Sequence, residues 1–77
     1  MVLLFFKFPS IMNRIKEVLE EKGIKQTWLA EKLSKSYNMV NSYVQNRRQP
    51  SIEDLNRIAN ILDVDVKELL VSIKNLD

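Results

Sequence analysis

From Ile11 onward, apolar residues recur with a helical period, and the breaks in that period divide the chain into five short helices. Ile11, Ile15, Val18 and Leu19 fall at i, i+4, i+7 and i+8, one face of a helix over 12–22. Gly23 follows, where a left-handed closing residue is wanted. Leu29, Ala30 and Leu33 are the inner face of a second helix over 26–33, with Trp28 assigned to packing at its seam with the first. Ser34-Lys35 is a tight connection. Ser36 is a suitable N-cap for a third helix over 37–45, whose inner positions are Val40, Tyr43 and Val44. Asn46 can take the left-handed position that ends it, and 46–50 reads as a loop. Ser51 caps a fourth helix, with Asp54 at the capping-box position and a stripe of Leu55, Ile58, Ala59 and Leu62. Asp65 and Glu68 form a second capping pair, starting a fifth helix near Val66 with Val66, Leu69, Leu70 and Ile73 as its apolar positions. The pattern predicts an all-α fold.

The first eight residues are apolar except for Lys7, and Pro9-Ser10 closes the segment. Eight residues are too few to cross a hydrocarbon layer of ~30 Å. A secretory signal would have a basic start and a small-residue cleavage site, and neither is present. Three readings stand: an arm pairing with a second copy, a segment packed on the chain's own core, or a non-native extension with Met12 as the start. The domain expected is 12–71, with 1–11 as the arm or extension and 72–77 as a tail.

Composition narrows the function. A chain of 77 residues builds one core, and 45% apolar with 29% charged residues is a folded composition. With neither Cys nor His, there are no disulfides, thiolate or imidazole metal sites, thiol nucleophiles or imidazole bases. Gly23 is the one glycine, which excludes Gly-rich phosphate loops. Asp63 and Asp65 are the carboxylate pair nearest to a catalytic arrangement, and helix-end capping accounts for both. The expectation is a cytoplasmic protein that is not an enzyme, with no cofactor, no metal, no membrane and no small-molecule ligand.

Charge is unevenly distributed. Residues 1–21 are neutral, 22–50 carry +5 and 51–77 carry −3. A basic middle suits a polyanion partner, and a solvated charged face is the alternative. The outward face of the third helix decides what the middle is for. It carries Tyr37, Asn38, Asn41, Ser42 and Gln45, none of them charged and all able to hydrogen-bond. A face meant only for solubility would normally carry Lys and Glu. Short amides and hydroxyls match donor and acceptor patterns in the major groove of DNA. Lys25 and Lys35 precede this face and Arg47 and Arg48 follow it, where cations grip phosphates.

The run Gln26-Thr27-Trp28-Leu29-Ala30-Glu31-Lys32-Leu33, then Ser36, Val40 and Pro50-Ser51-Ile52-Glu53-Asp54-Leu55, resembles the lambda-repressor/Cro-like (Xre) helix-turn-helix family. Residues 58–70 extend the likeness, which covers about 12–71. The resemblance implies a compact five-helix lambda-repressor-like domain whose third helix enters the major groove. It implies that Gln26 holds a phosphate and braces that helix. It assigns base reading to Ser36, Tyr37, Asn38, Asn41 and Ser42, and backbone contact to Asn46, Arg47 and Arg48. With Lys25 and Lys35 these complete the phosphate-contacting set. The family usually has Gly where Ser34 and Asn46 stand, an apolar plug at Lys35 and Ser or Thr at Lys25.

The expected function is sequence-specific binding of double-stranded DNA as a transcriptional regulator. It would act as a homodimeric repressor or control protein on a palindromic operator. Val71, Ile73 and Leu76 are candidates for a dimer seam. The alternative is a protein-interaction module on the same fold, such as an antitoxin partner.

Overall fold

The computed structural model describes residues 12–71. The arm 1–11 and tail 72–77, with Ile73 and Leu76, lie outside the described residues. Four α-helices run in order: α1 (Ile15–Lys22), α2 (Gln26–Leu33), α3 (Tyr37–Val44) and α4 (Ile52–Leu62), followed by a 3-10 turn at Val66–Leu69. The all-α class is as the sequence predicts. Helices of eight residues are marginal alone in water, so α1, α2 and α3 depend on what their inner faces bury. Ile15, Val18 and Leu19 from α1 meet Leu29, Ala30 and Leu33 from α2 in a single core. Val40, Tyr43 and Val44 join from α3, Leu55, Ile58, Ala59 and Leu62 from α4, and Leu69 from the turn.

All four helices close in the same way. A left-handed residue follows each helix, Gly23 (φ 66°), Ser34 (φ 59°) and Asp63 (φ 59°) directly and Asn46 (φ 60°) after Gln45. Its N–H and the next N–H fold back to carbonyls of the last turn. The pairs are Gly23 to Glu20 with Ile24 to Leu19, and Ser34 to Glu31 with Lys35 to Ala30. The third and fourth are Asn46 to Tyr43 with Arg47 to Ser42, and Asp63 to Asn60 with Val64 to Ala59. This is the Schellman closure, which satisfies otherwise orphaned carbonyls. The residue after the left-handed one differs by location. Ile24 and Val64 are apolar and pack on the core, whereas Lys35 and Arg47 are basic.

Three predicted boundaries are corrected. The first helix starts at Ile15 rather than 12, because Asn13 Oδ1 accepts from the Ile15 N–H at 3.0 Å and turns the chain. Met12–Arg14 instead lies antiparallel to the end of the domain, with Asn13 bridged to Leu70. The Arg14 N–H donates to the Leu69 carbonyl at 2.8 Å, and the Val71 N–H to the Met12 carbonyl at 3.1 Å. That pairing also corrects the fifth helix. It is a single 3-10 turn, because Leu69 and Val71 give these backbone groups to the opposite strand. Leu70 is 38% exposed, not a core position. The third helix ends at Val44, one residue early, as the Asn46 closure begins.

Ser34 bears a Cβ in a conformation that favours glycine. Ser34→Gly is expected to raise stability by about 0.5–1 kcal/mol, read as a melting temperature several degrees higher.

Candidate nucleic-acid interface

The α2–turn–α3 unit is held from behind by α4. Arg57 Nη2 donates to the Leu33 carbonyl at 3.1 Å, capping the last turn of α2. Arg57 Nη1 lies 3.4 Å from Asp54 Oδ1, and Lys35 Nζ lies 3.4 Å from Asp54 Oδ2. One carboxylate from α4 thus bridges the turn and the α2 cap. Ser36 then starts α3, with its Oγ accepting from the Met39 N–H at 3.1 Å.

Burial of Val40, Tyr43 and Val44 fixes which way α3 faces. Tyr37, 49% exposed, stands outward with Asn38 and Gln45. Among the described residues, the Tyr37 and Asn38 side chains have no hydrogen-bond partner. Asn41 and Ser42 are half-buried at the edge of this face. Gln26 Nε2 donates to Asn41 Oδ1 at 3.0 Å, tying the start of α2 to the middle of α3. The Gln26 amide carries a second hydrogen, and both Asn41 Nδ2 hydrogens remain. Ser42 Oγ donates back to the Met39 carbonyl at 2.6 Å. Ser36, Asn38, Met39, Ser42 and Arg48 line an open depression of about 280 Å³. A larger one of about 510 Å³ lies beside Trp28 and is lined by no α3 residue.

The helix-turn-helix family model matches residues 15–69 of this chain. The chain belongs to the lambda-repressor/Xre-like helix-turn-helix family. It is similar to a crystal structure from Bacteroides fragilis described as a "putative DNA-binding protein". The two are 41% identical with a TM-score of 0.78, over 79% of this chain and 98% of that one. No curated protein matches the chain.

Within this helix-turn-helix frame the sequence-assigned residues fall into two groups. Ser36, Tyr37, Asn38, Asn41 and Ser42 share the outer side of α3 or its start, with Gln26 bonded to Asn41. Lys25 is exposed before α2, and Arg47 and Arg48 are exposed after α3. Among the described residues none of these three cations has a carboxylate partner. Two residues assigned to phosphate contact also make internal contacts. Lys35 is paired with Asp54, whose side chain is largely covered. The Asn46 side chain turns inward: its Oδ1 accepts from the Asn13 N–H and from Gln49 Nε2, and its Nδ2 donates to the Asn13 carbonyl. Trp28 is exposed rather than sealed in a seam, with Lys32 Nζ 5.4 Å from its ring centroid.

Sequence reading missed Asn13, Gln49 and Met39. Met39 is half-buried beneath Arg48, with Nη1 3.6 Å from its sulfur. Its spacing from Tyr43 was the available signal. Among the described residues, no cluster of acidic side chains is placed to hold a metal ion, and no helix is long and apolar enough to cross a membrane.

Ser36→Ala removes the acceptor for the Met39 N–H and is expected to lower stability by about 1 kcal/mol, with Ser36→Gly losing only a few tenths. Thermal denaturation of both variants checks the order.

Proposed function

We propose that the protein is a sequence-specific DNA-binding transcriptional regulator that occupies a palindromic operator as a homodimer, working as a repressor or control protein in the cytoplasm at the nucleoid. The observation that carries this reading is the outer face of α3. It is free of charge and rich in hydrogen-bonding groups, while cations without carboxylate partners among the described residues stand before α2 and after α3. Base edges in the major groove are read by such neutral groups, and phosphates by the flanking cations.

In this reading Ser36, Tyr37, Asn38, Asn41 and Ser42 contact bases. Gln26, Lys25, Arg47 and Arg48 contact the backbone. Gln26 spends one amide hydrogen on Asn41 and has the other for a phosphate oxygen. Length argues for two copies. An eight-residue α3 is about 12 Å long and spans only three or four base pairs at ~3.4 Å each. So short a site gives little discrimination against a genome of competing sequence, and a second half-site multiplies it. Ile52 (74% exposed), Leu70 and Met12 are large apolar groups open at the surface, available to a second subunit.

Selection from a random duplex library tests the reading. Enrichment of a palindrome with half-sites ~34 Å apart, bound less tightly as salt rises, is the expected outcome. No enrichment by the intact chain would sink it. On the selected duplex, Tyr37→Ala or Asn38→Ala should relax preference at one base position by ~1–3 kcal/mol. Arg47→Ala should weaken all duplexes alike and lower the salt slope by about one unit, as titrations on selected and random DNA would reveal.

A further inference from the structure

Asn13 is the one buried polar residue among the described residues, 4% exposed. Its Oδ1 accepts from the Ile15 N–H at 3.0 Å. Its Nδ2 donates to the Tyr43 carbonyl and to Gln49 Oε1, each at 2.9 Å. Its backbone is held as well. The Asn13 N–H donates to Asn46 Oδ1 at 2.9 Å, and Asn46 Nδ2 donates to the Asn13 carbonyl at 3.1 Å. The Asn46 carboxamide therefore pairs with Asn13 as a neighbouring strand would. Gln49 Nε2 donates to Asn46 Oδ1 at 2.9 Å and closes a ring of three amides.

Arg47 and Arg48 lie between Asn46 and Gln49 in the chain. They form an arch with both feet bound to Asn13. Their N–H groups both donate to the Ser42 carbonyl, at 2.9 and 3.2 Å, which fixes the arch against the end of α3. A glycine at position 46 would adopt φ 60° more readily than asparagine. It would leave the Asn13 backbone groups without this partner. The asparagine is thus better explained by its amide than by its backbone conformation.

The geometry points to Asn13 as a positioning residue for DNA binding: through Asn46 and Gln49 it holds the Arg47–Arg48 arch in the arrangement that grips phosphates. The inference rests on the DNA-binding reading above and adds to it the residues that place the grip. None of the three amides touches DNA in this scheme. Loss of the ring leaves the arginines present but no longer held in place.

The test uses Asn46→Gly in the full chain, because glycine keeps the left-handed backbone and Asn13→Ala risks unfolding. Binding is measured on the selected duplex at a temperature where circular dichroism shows both proteins folded. The expected result is weaker binding to every duplex, unchanged preference between selected and random DNA, and a salt slope lower by about one to two units. In an Arg47→Ala/Arg48→Ala background, Asn46→Gly should change the slope no further, since the groups it positions are gone. Backbone order parameters at positions 47 and 48 should fall from the rigid range near ~0.85 towards ~0.6. A variant that melts lower yet binds with the same affinity and slope overturns the inference, as does an equal effect in the background without the arginines. Failure of the unaltered chain to bind any duplex overturns the DNA-binding reading itself, and is distinguished by appearing before any substitution.

Discussion

Eight-residue helices hold only if their ends are fixed and one face of each is buried, and the fold meets the first condition with four left-handed closures. The closure after α2 turns the chain so that α3 packs back against it, and the closure after α4 brings the 3-10 turn back onto α4. Three of the four use a residue with a Cβ, and two of those, Asn46 and Asp63, are of the kinds that best tolerate the left-handed region. The closures also sort the molecule. Those after α1 and α4 are followed by Ile24 and Val64, which plug the core. Those after α2 and α3 are followed by Lys35 and Arg47. One local geometry thus directs apolar residues inward at two corners and places basic residues at the two corners that bracket α3, Lys35 against Asp54 and Arg47 exposed.

The second constraint is a buried amide. A buried side-chain amide without partners is costly, and partial satisfaction is worse than an apolar residue in its place. Asn13 is fully satisfied, locally by Ile15 and from distant parts of the chain by Tyr43, Asn46 and Gln49. The strand containing it pairs with Leu69–Val71 on its other edge. The start of the domain, its end and the loop after α3 therefore meet at one residue. None of these three segments is a helix, which explains why helical packing alone would leave the loop unplaced.

Much of this was legible along the chain because it is local. The bounds of α2 and the inner face of α4 follow from the apolar stripes, and the Ser36 and Ser51 caps from residue type and position. Left-handed Gly23 and Asn46 follow from where the stripes stop, and left-handed Ser34 is consistent with the Gly that the family usually has there. The misses are long-range or ambiguous. A stripe of Ile11, Ile15 and Val18 extends a helix through 12–14 unless one knows that Leu69 and Val71 wait more than fifty residues away to pair with that segment. Leu70 and Leu69 look alike in sequence, yet only Leu69 is buried, because Leu70 lies past the 3-10 turn in extended backbone, where successive side chains point to opposite faces. Asp54 gave its capping position from its neighbours but not its pairing with Lys35, which depends on how α4 crosses the turn. Asn46 gave its backbone conformation but not the use of its amide.

These corrections sharpen the charge argument. The basic middle of the chain has six cations, but they are not equivalent. Lys22 sits in the last turn of α1, where a cation complements the helix dipole. Lys32 rests against Trp28 and Lys35 against Asp54. Lys25, Arg47 and Arg48 remain without an ionic partner among the described residues, one before α2 and two after α3. A uniform basic patch would attract a polyanion without orienting it, because exposed charges separated by more than ~10 Å act almost independently in salt. In the proposed reading Lys25 before α2 and Arg47 and Arg48 after α3 grip the backbone at separate points, which imposes a register and leaves the uncharged outer face of α3 to the bases. Discrimination then falls to hydrogen bonds from that face, where a mismatched donor or acceptor stays unpaired. In the proposed reading the neutrality of α3 and the placement of Lys25, Arg47 and Arg48 are therefore complementary, one serving discrimination and the other the grip.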